Sequence, residues 1–109
     1  MIRIGLCTIS FHMLPVEEAL SRSSAAGAEG VEIWGRAHLP ADAPLAEAER
    51  LKALAKQAGL AIPIYGSYAR AGEEEWTDEA FGHALDLTRA LGADRIRVWA
   101  GSKGTAAAT

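Results

Sequence analysis

Strand-like runs begin at Ile2, Val31, Ala61 and Arg95, so the chain repeats one strand-then-helix unit about every thirty residues. Each of the first three runs is followed by a helical pattern and a turn containing glycine. This alternation is the strongest constraint on the fold. A parallel neighbour can be reached only by a long connection that packs back onto the sheet, so the pattern predicts parallel strands joined by helical crossovers. The expected class is α/β, with four strands and three helices in parallel βα units. After the fourth strand the sequence passes into the small-residue stretch Gly101 to Thr109, and the 109 residues read as the N-terminal part of one larger domain, truncated after strand four.

Composition narrows the function classes. Half of the residues are apolar, enough for a modest core, and the net charge is -3, with eleven Lys and Arg scattered singly. No basic stripe exists to recruit nucleic acid. Cys7 is the single cysteine and has no internal partner, no cationic leader precedes the first strand, and no apolar run reaches membrane-spanning length. The expectation is a cytoplasmic protein with no nucleic-acid or membrane partner.

Along the chain, Ile2 to Ser10 reads as the first strand. Pro15 stands at a first helical turn, with Glu17 and Glu18 near the positive end of the helix dipole, and that helix should run to Ala26 before Gly27. Val31 to Trp34 is the second strand. Leu45 to Ala58 places Leu51, Leu54 and Ala58 at helical spacing and stops at Gly59. The third strand is read as Ala61 to Tyr65 despite Pro63, which cannot donate to a ladder. Thr77 or Asp78 caps the third helix, which carries Phe81, Leu85, Thr88 and Leu91 on its apolar face and ends at Gly92; Arg95 to Ala100 is the fourth strand.

Strands two and four share one alternation rule. In Val31-Glu32-Ile33-Trp34 the aliphatic pair faces one way and Glu32 with Trp34 the other, and in Ile96-Arg97-Val98-Trp99 the aliphatic pair again separates from Arg97 and Trp99. A closed barrel fills its interior with side-chain layers from alternate strands, and strands two and four are alternate. Glu32 and Arg97 should then form a buried structural ion pair in one layer, with the tryptophans in the layer above it, nearer the C-terminal mouth.

The segments GLCTISF, GVEIWGRAHL, IPIYGSY and RIRVWAGSKGTA resemble, in order and spacing, the first four βα units of the xylose isomerase-like TIM barrels, the sugar phosphate isomerase/epimerase superfamily that includes endonuclease IV. A complete barrel needs about 250 residues, so the resemblance implies a partial one. It also implies a parent enzyme that isomerises or epimerises a small sugar, sugar phosphate or polyol by proton transfer next to a carbonyl, with a divalent metal (Mn, Mg, Co or Zn) polarising the substrate oxygens. The family's acidic and histidine metal ligands begin at the fifth strand, so no metal ligand and no catalytic acid or base is assigned here. The chain alone should bind no metal and be inactive.

What the resemblance places in this chain is the wall of the mouth, at the C-terminal ends of the strands. The substrate-binding candidates are Trp34, Arg36 and His38 after strand two, Tyr65 after strand three, and Trp99, Ser102 and Lys103 after strand four; Ser10, Phe11, His12, Ser67, Tyr68 and Gly101 lie in the same loops. Aromatic faces suit sugar C–H surfaces, and the polar groups suit sugar oxygens or an anion. Plainer roles compete. His12 and His38 lack a ligand-spaced partner, the tryptophans also serve as packing layers, Gly101-Ser102-Lys103-Gly104 lacks P-loop spacing, Cys7 reads as a small apolar residue and His83 as a surface one. Glu73-Glu74-Glu75 reads as a solvated loop.

A reading from another class is a non-catalytic module acting as a homodimer: a half-barrel, or a small flavodoxin-like domain, self-associating through exposed edges. Against it stand the charges Glu32 and Arg97, which make a poor generic dimer core.

Overall fold

The computed structural model describes residues 2–101. Its elements are β1 (Gly5–Cys7), a 3-10 turn (Thr8–Phe11), α1 (Val16–Ala25), β2 (Gly30–Trp34), α2 (Leu45–Gln57), β3 (Ala61–Arg70), α3 (Asp78–Ala90) and β4 (Arg95–Trp99). All pairings are parallel, and the sheet order is β1-β2-β3-β4. Strands added in sequence order without reversal, each after a helical crossover, carry the helices on one face and curve as half a barrel. A flavodoxin-like domain would need its strand order to reverse after the first strand, so that alternative is excluded.

Each helix ends by the same device. Gly27, Gly59 and Gly92 take φ of 91°, 75° and 77°, the left-handed conformation that costs a side chain dearly. In each case the glycine N–H and the next N–H bond back to carbonyls of the last turn: Gly59 to Lys56 and Leu60 to Ala55 at 3.1 and 2.8 Å, with equivalents after α1 and α3. These paired bonds satisfy the orphan carbonyls and turn the chain toward the next strand. At the start of α3, Thr77 Oγ1 accepts from the Ala80 N–H at 3.1 Å, as a cap should.

The core lies between sheet and helices. Val31 and Ile33 of β2, Ile62 and Tyr65 of β3, Leu20 of α1, Leu51 of α2 and Leu87 of α3 are buried there. Hydroxyls within it find local partners: Ser23 and Thr88 each donate to the carbonyl one turn back, at 2.8 Å. Ser24 donates to the Ala58 carbonyl at 2.7 Å and pins α1 to the end of α2.

Two boundaries differ from the sequence reading. The regular part of β1 is short, because Thr8 turns into the 3-10 segment. β3 runs to Arg70 instead of Tyr65, and it tolerates Pro63 through a local shift of register: Gly30 pairs with Ala61, but Glu32 pairs with Ile64, so β3 spends one extra residue around the proline. Pairing to β4 begins only at Ile64, beyond the missing N–H.

Substituting Gly59→Ala tests the helix-end device cleanly, because a Cβ there would meet nothing within 4 Å and the cost is conformational alone. Urea denaturation should show a loss of about 1 kcal/mol. An unchanged midpoint would show that the turn relaxes without strain.

Candidate functional site

The interior face of the sheet carries the side chains that the alternation separated from the helices. Arg97 Nε stands 3.3 Å from Glu32 Oε2, and the two side chains are 35% and 19% exposed. The facing atoms themselves are sealed from solvent and lie off line for a hydrogen bond, so charge attraction holds them. The pair spans two strands by crossing over Gly66 of β3. A Cβ on Gly66 would lie 2.7 Å from Glu32 Oε2 and 3.1 Å from the nearest Arg97 guanidinium nitrogen, so glycine is what leaves room for the contact. The sequence reading expects a buried pair; the structure brings the two side chains within ion-pair distance, with one sealed atom on each and both side chains only partly buried.

Above the pair, toward the strand C-termini, three aromatic rings are linked. The Trp34 indole N–H donates to the Tyr68 hydroxyl at 2.8 Å. Tyr68 stacks on Trp99, with centroids 5.9 Å apart and planes 15° from parallel. The Trp99 indole N–H donates to the Ser67 carbonyl at 3.1 Å. Consecutive strand ends, β2, β3 and β4, thus contribute one ring each. Arginines lie against this shelf: Arg36 sits 4.0 Å over Tyr68, Arg97 5.1 Å from Trp99, and Arg70 5.9 Å from Trp99. Trp99 is 40% exposed, so the shelf opens to solvent.

A second network fixes Trp34 from behind. His38 Nε2 lies 2.9 Å from the Leu14 carbonyl, which can only accept, so that nitrogen carries the proton. His38 Nδ1 then accepts from the Thr8 hydroxyl at 2.8 Å, and the Thr8 oxygen accepts the Trp34 backbone N–H at 2.9 Å. The His38 ring also packs edge-on against the Trp34 indole, 5.2 Å between centroids.

Several sequence expectations change here. His38 is buried with both nitrogens engaged, so it supports the site and offers no free nitrogen to a substrate. Tyr65 is fully buried on the helix side, where its hydroxyl donates to the Leu39 carbonyl at 2.8 Å; burial pushes its pKa up to about 12. It is a core residue, and the mouth position belongs to Tyr68. His83 is not a free surface residue: its Nε2 bonds the Ala43 carbonyl at 2.6 Å and ties α3 to the loop before α2. Trp34, Arg36 and Trp99 do come together at the mouth. Arg70 joins them, because β3 runs five residues beyond Tyr65, where the strand pattern in the sequence ends. Ser102 and Lys103 lie outside the described residues. His12 is exposed at the edge of the site, 6.5 Å from Trp34 between ring centroids.

Cys7 lies beside Glu32 in the adjoining register position. Burial pushes its thiol up, and the Glu32 charge adds to the shift. Among the described residues no three His, Cys, Asp or Glu converge as a metal site would require. A cleft lined by Arg3, Cys7, Gly30, Glu32, Pro63 and Ile64 opens at the N-terminal end of the same face, opposite the end where barrel enzymes work. No described helix is long and apolar enough to cross a membrane.

Comparison with known proteins agrees with this geometry. The family model described as xylose isomerase-like TIM barrel matches residues 20–108. The chain belongs to that family. Similar solved structures include an uncharacterised protein from Parabacteroides distasonis (TM-score 0.75, 18% identity, 90% of this chain and 43% of that one). A xylose isomerase-like TIM barrel/4-hydroxyphenylpyruvate dioxygenase fusion protein gives 0.69 at 22% identity, over 95% of this chain and 17% of that one. The probable 3-DHS dehydratase AsbF of Bacillus anthracis gives 0.61 at 23% identity, over 96% of this chain and 40% of that one. The chain thus spans less than half the length of each, and the fold is that of a partial TIM barrel. No curated protein matches it in sequence.

Two outcomes check the site. Glu32→Gln leaves the Arg97 guanidinium without its counter-charge; because the pair is partly exposed, the loss should be about 1–3 kcal/mol, below the cost for a fully buried pair. An unchanged melting curve would show the pair to be energetically silent. Because its folded pKa is raised, the Cys7 thiol favours the folded state below the unfolded thiol pKa, and that contribution is lost as pH rises through the folded value. Iodoacetamide should therefore modify Cys7 in the folded chain only at higher pH than it modifies the urea-unfolded chain, and identical pH–rate profiles would contradict the burial argument.

Proposed function

We infer that this chain forms the substrate-facing wall of a divalent-metal-dependent isomerase or epimerase acting on a small sugar or polyol by proton transfer next to a carbonyl. The supporting observation is the Trp34–Tyr68–Trp99 shelf, built from three consecutive strand ends at the face where this family's fold presents its chemistry. Stacked and hydrogen-bonded aromatic faces suit the C–H surface of a sugar, and rings fixed by their own polar groups lose little freedom on binding.

The residues described do not suit a metal. His38 has both nitrogens occupied and Glu32 is committed to Arg97. In this reading the ion and the proton-transfer groups lie elsewhere in the barrel, and this chain positions and partly dehydrates the substrate. Proton abstraction next to a carbonyl also opens elimination reactions, so a dehydratase would use the same shelf.

A homodimer of half-barrels is the second reading. The described sheet has two unpaired edges, β1 and β4, and Ile4, just before β1, and Val98 of β4 are 65% and 52% exposed. Sedimentation velocity separates the two: a stable dimer supports the module reading.

For the first reading, titration of the 15N-labelled chain with xylitol should give saturable shifts of the Trp34 and Trp99 indole resonances, abolished by Trp34→Ala or Trp99→Ala. Absence of any shift, with the fold intact, would remove the shelf as a sugar platform.

A further inference from the structure

Most arginines away from the strand ends are matched by acids. Among the described residues, Arg22, Arg50 and Arg89 face carboxylates on the helical surface at 3.5, 2.6 and 3.5 Å, and Arg97 faces Glu32 in the interior. The mouth differs. Arg36, in the turn after β2, and Arg70, at the end of β3, have no carboxylate within ion-pair distance and no side-chain hydrogen bond among the described residues. Each lies near an aromatic ring instead: the Arg36 guanidinium 4.0 Å over Tyr68, and that of Arg70 more loosely, 5.9 Å from the Trp99 centroid.

A guanidinium laid on a ring, as Arg36 is on Tyr68, uses its face for the ring and keeps its in-plane N–H donors free, and Arg70 has no side-chain acceptor among the described residues. Those donors are planar and forked, matched to the paired oxygens of a carboxylate or phosphate. A neutral polyol has no need of two cations left without counter-charge beside the surface it stacks on.

We propose that the mouth recognises a substrate carrying an anionic oxygen group, a carboxylate or a phosphate, which Arg36 and Arg70 take on their free N–H edges while the sugar carbons lie on the shelf. This rests on the reading of that shelf as the substrate wall and specifies its substrate class. Arg70 becomes a specificity residue alongside Arg36. Paired Arg97 serves as the floor beneath them.

The test uses three probes on one carbon skeleton at constant ionic strength: ribose, ribonate and ribose 5-phosphate. Their binding to the 15N-labelled chain is followed through the arginine Nε and indole cross-peaks. At least one anionic probe should bind about tenfold more tightly than ribose, as one or two charge-assisted bonds allow. Whichever of ribonate or ribose 5-phosphate shows the margin identifies the group. Arg36→Gln and Arg70→Gln should each shrink that margin, taken as the ratio of anionic-probe to ribose affinity within the same variant; both residues are exposed, so neither change should unfold the chain. Equal affinity for all three probes, or a margin that survives in the double variant, would overturn the anionic assignment and leave the shelf reading standing. No saturable shift with any probe would overturn both.

Discussion

The contact between Glu32 and Arg97 across Gly66 is the constraint around which the interior face is organised. It links β2 to β4 over the top of the strand between them, at 3.3 Å, and requires that β3 present no side chain there. Because Gly66 pairs with Trp34 on one side and Arg97 on the other, the same missing side chain sets the level at which the next layer starts. That layer is the aromatic shelf. Arg97 therefore has two duties, counter-charge to Glu32 below and a cation beside Trp99 above.

Much of this was legible from alternation. Glu32 and Arg97 occupy equivalent places in two four-residue patterns of the same form, aliphatic, charged, aliphatic, Trp, and a period of two leaves them little choice of face. The helix ends were equally plain, since a glycine following an amphipathic run carries the left-handed turn by itself. What the sequence hid lay in β3. Pro63 forces an extra residue into the strand, and small, weakly strand-forming Gly66 and Ser67 follow Tyr65, so the strand looks finished five residues before it ends. That misplacement assigned Tyr65 to the mouth and left Arg70 out of it.

His38 was illegible for another reason. It lies in a loop, where an imidazole is ordinarily solvated, and nothing near it in sequence accounts for its burial. Its partners Thr8 and Leu14 come from the segment after β1, 30 and 24 residues away, and only the parallel pairing of β1 with β2 brings them over it. The chemistry of the contact then fixes the tautomer, because a carbonyl at Nε2 leaves Nδ1 as the acceptor. A residue that looks like a ligand in sequence becomes a brace for Trp34 in the fold.

The ion pair and the shelf also bear on each other through solvent. With the interior partly open, the charges of Glu32 and Arg97 retain some hydration, and their attraction is correspondingly screened. A closed barrel would remove that water. Attraction and desolvation cost would rise together, and only a pair already held in contact, with no intervening side chain, would survive the change without separating. Gly66 supplies that condition. The same closure would lower the dielectric around the shelf and strengthen whatever charge contacts Arg36 and Arg70 make at its rim, while Arg97, already matched, would add no uncompensated charge to the interior. Neutralising the deep cation and leaving the outer two open is a division of labour that suits a site expected to hold a small polar molecule at its mouth and to keep its floor rigid.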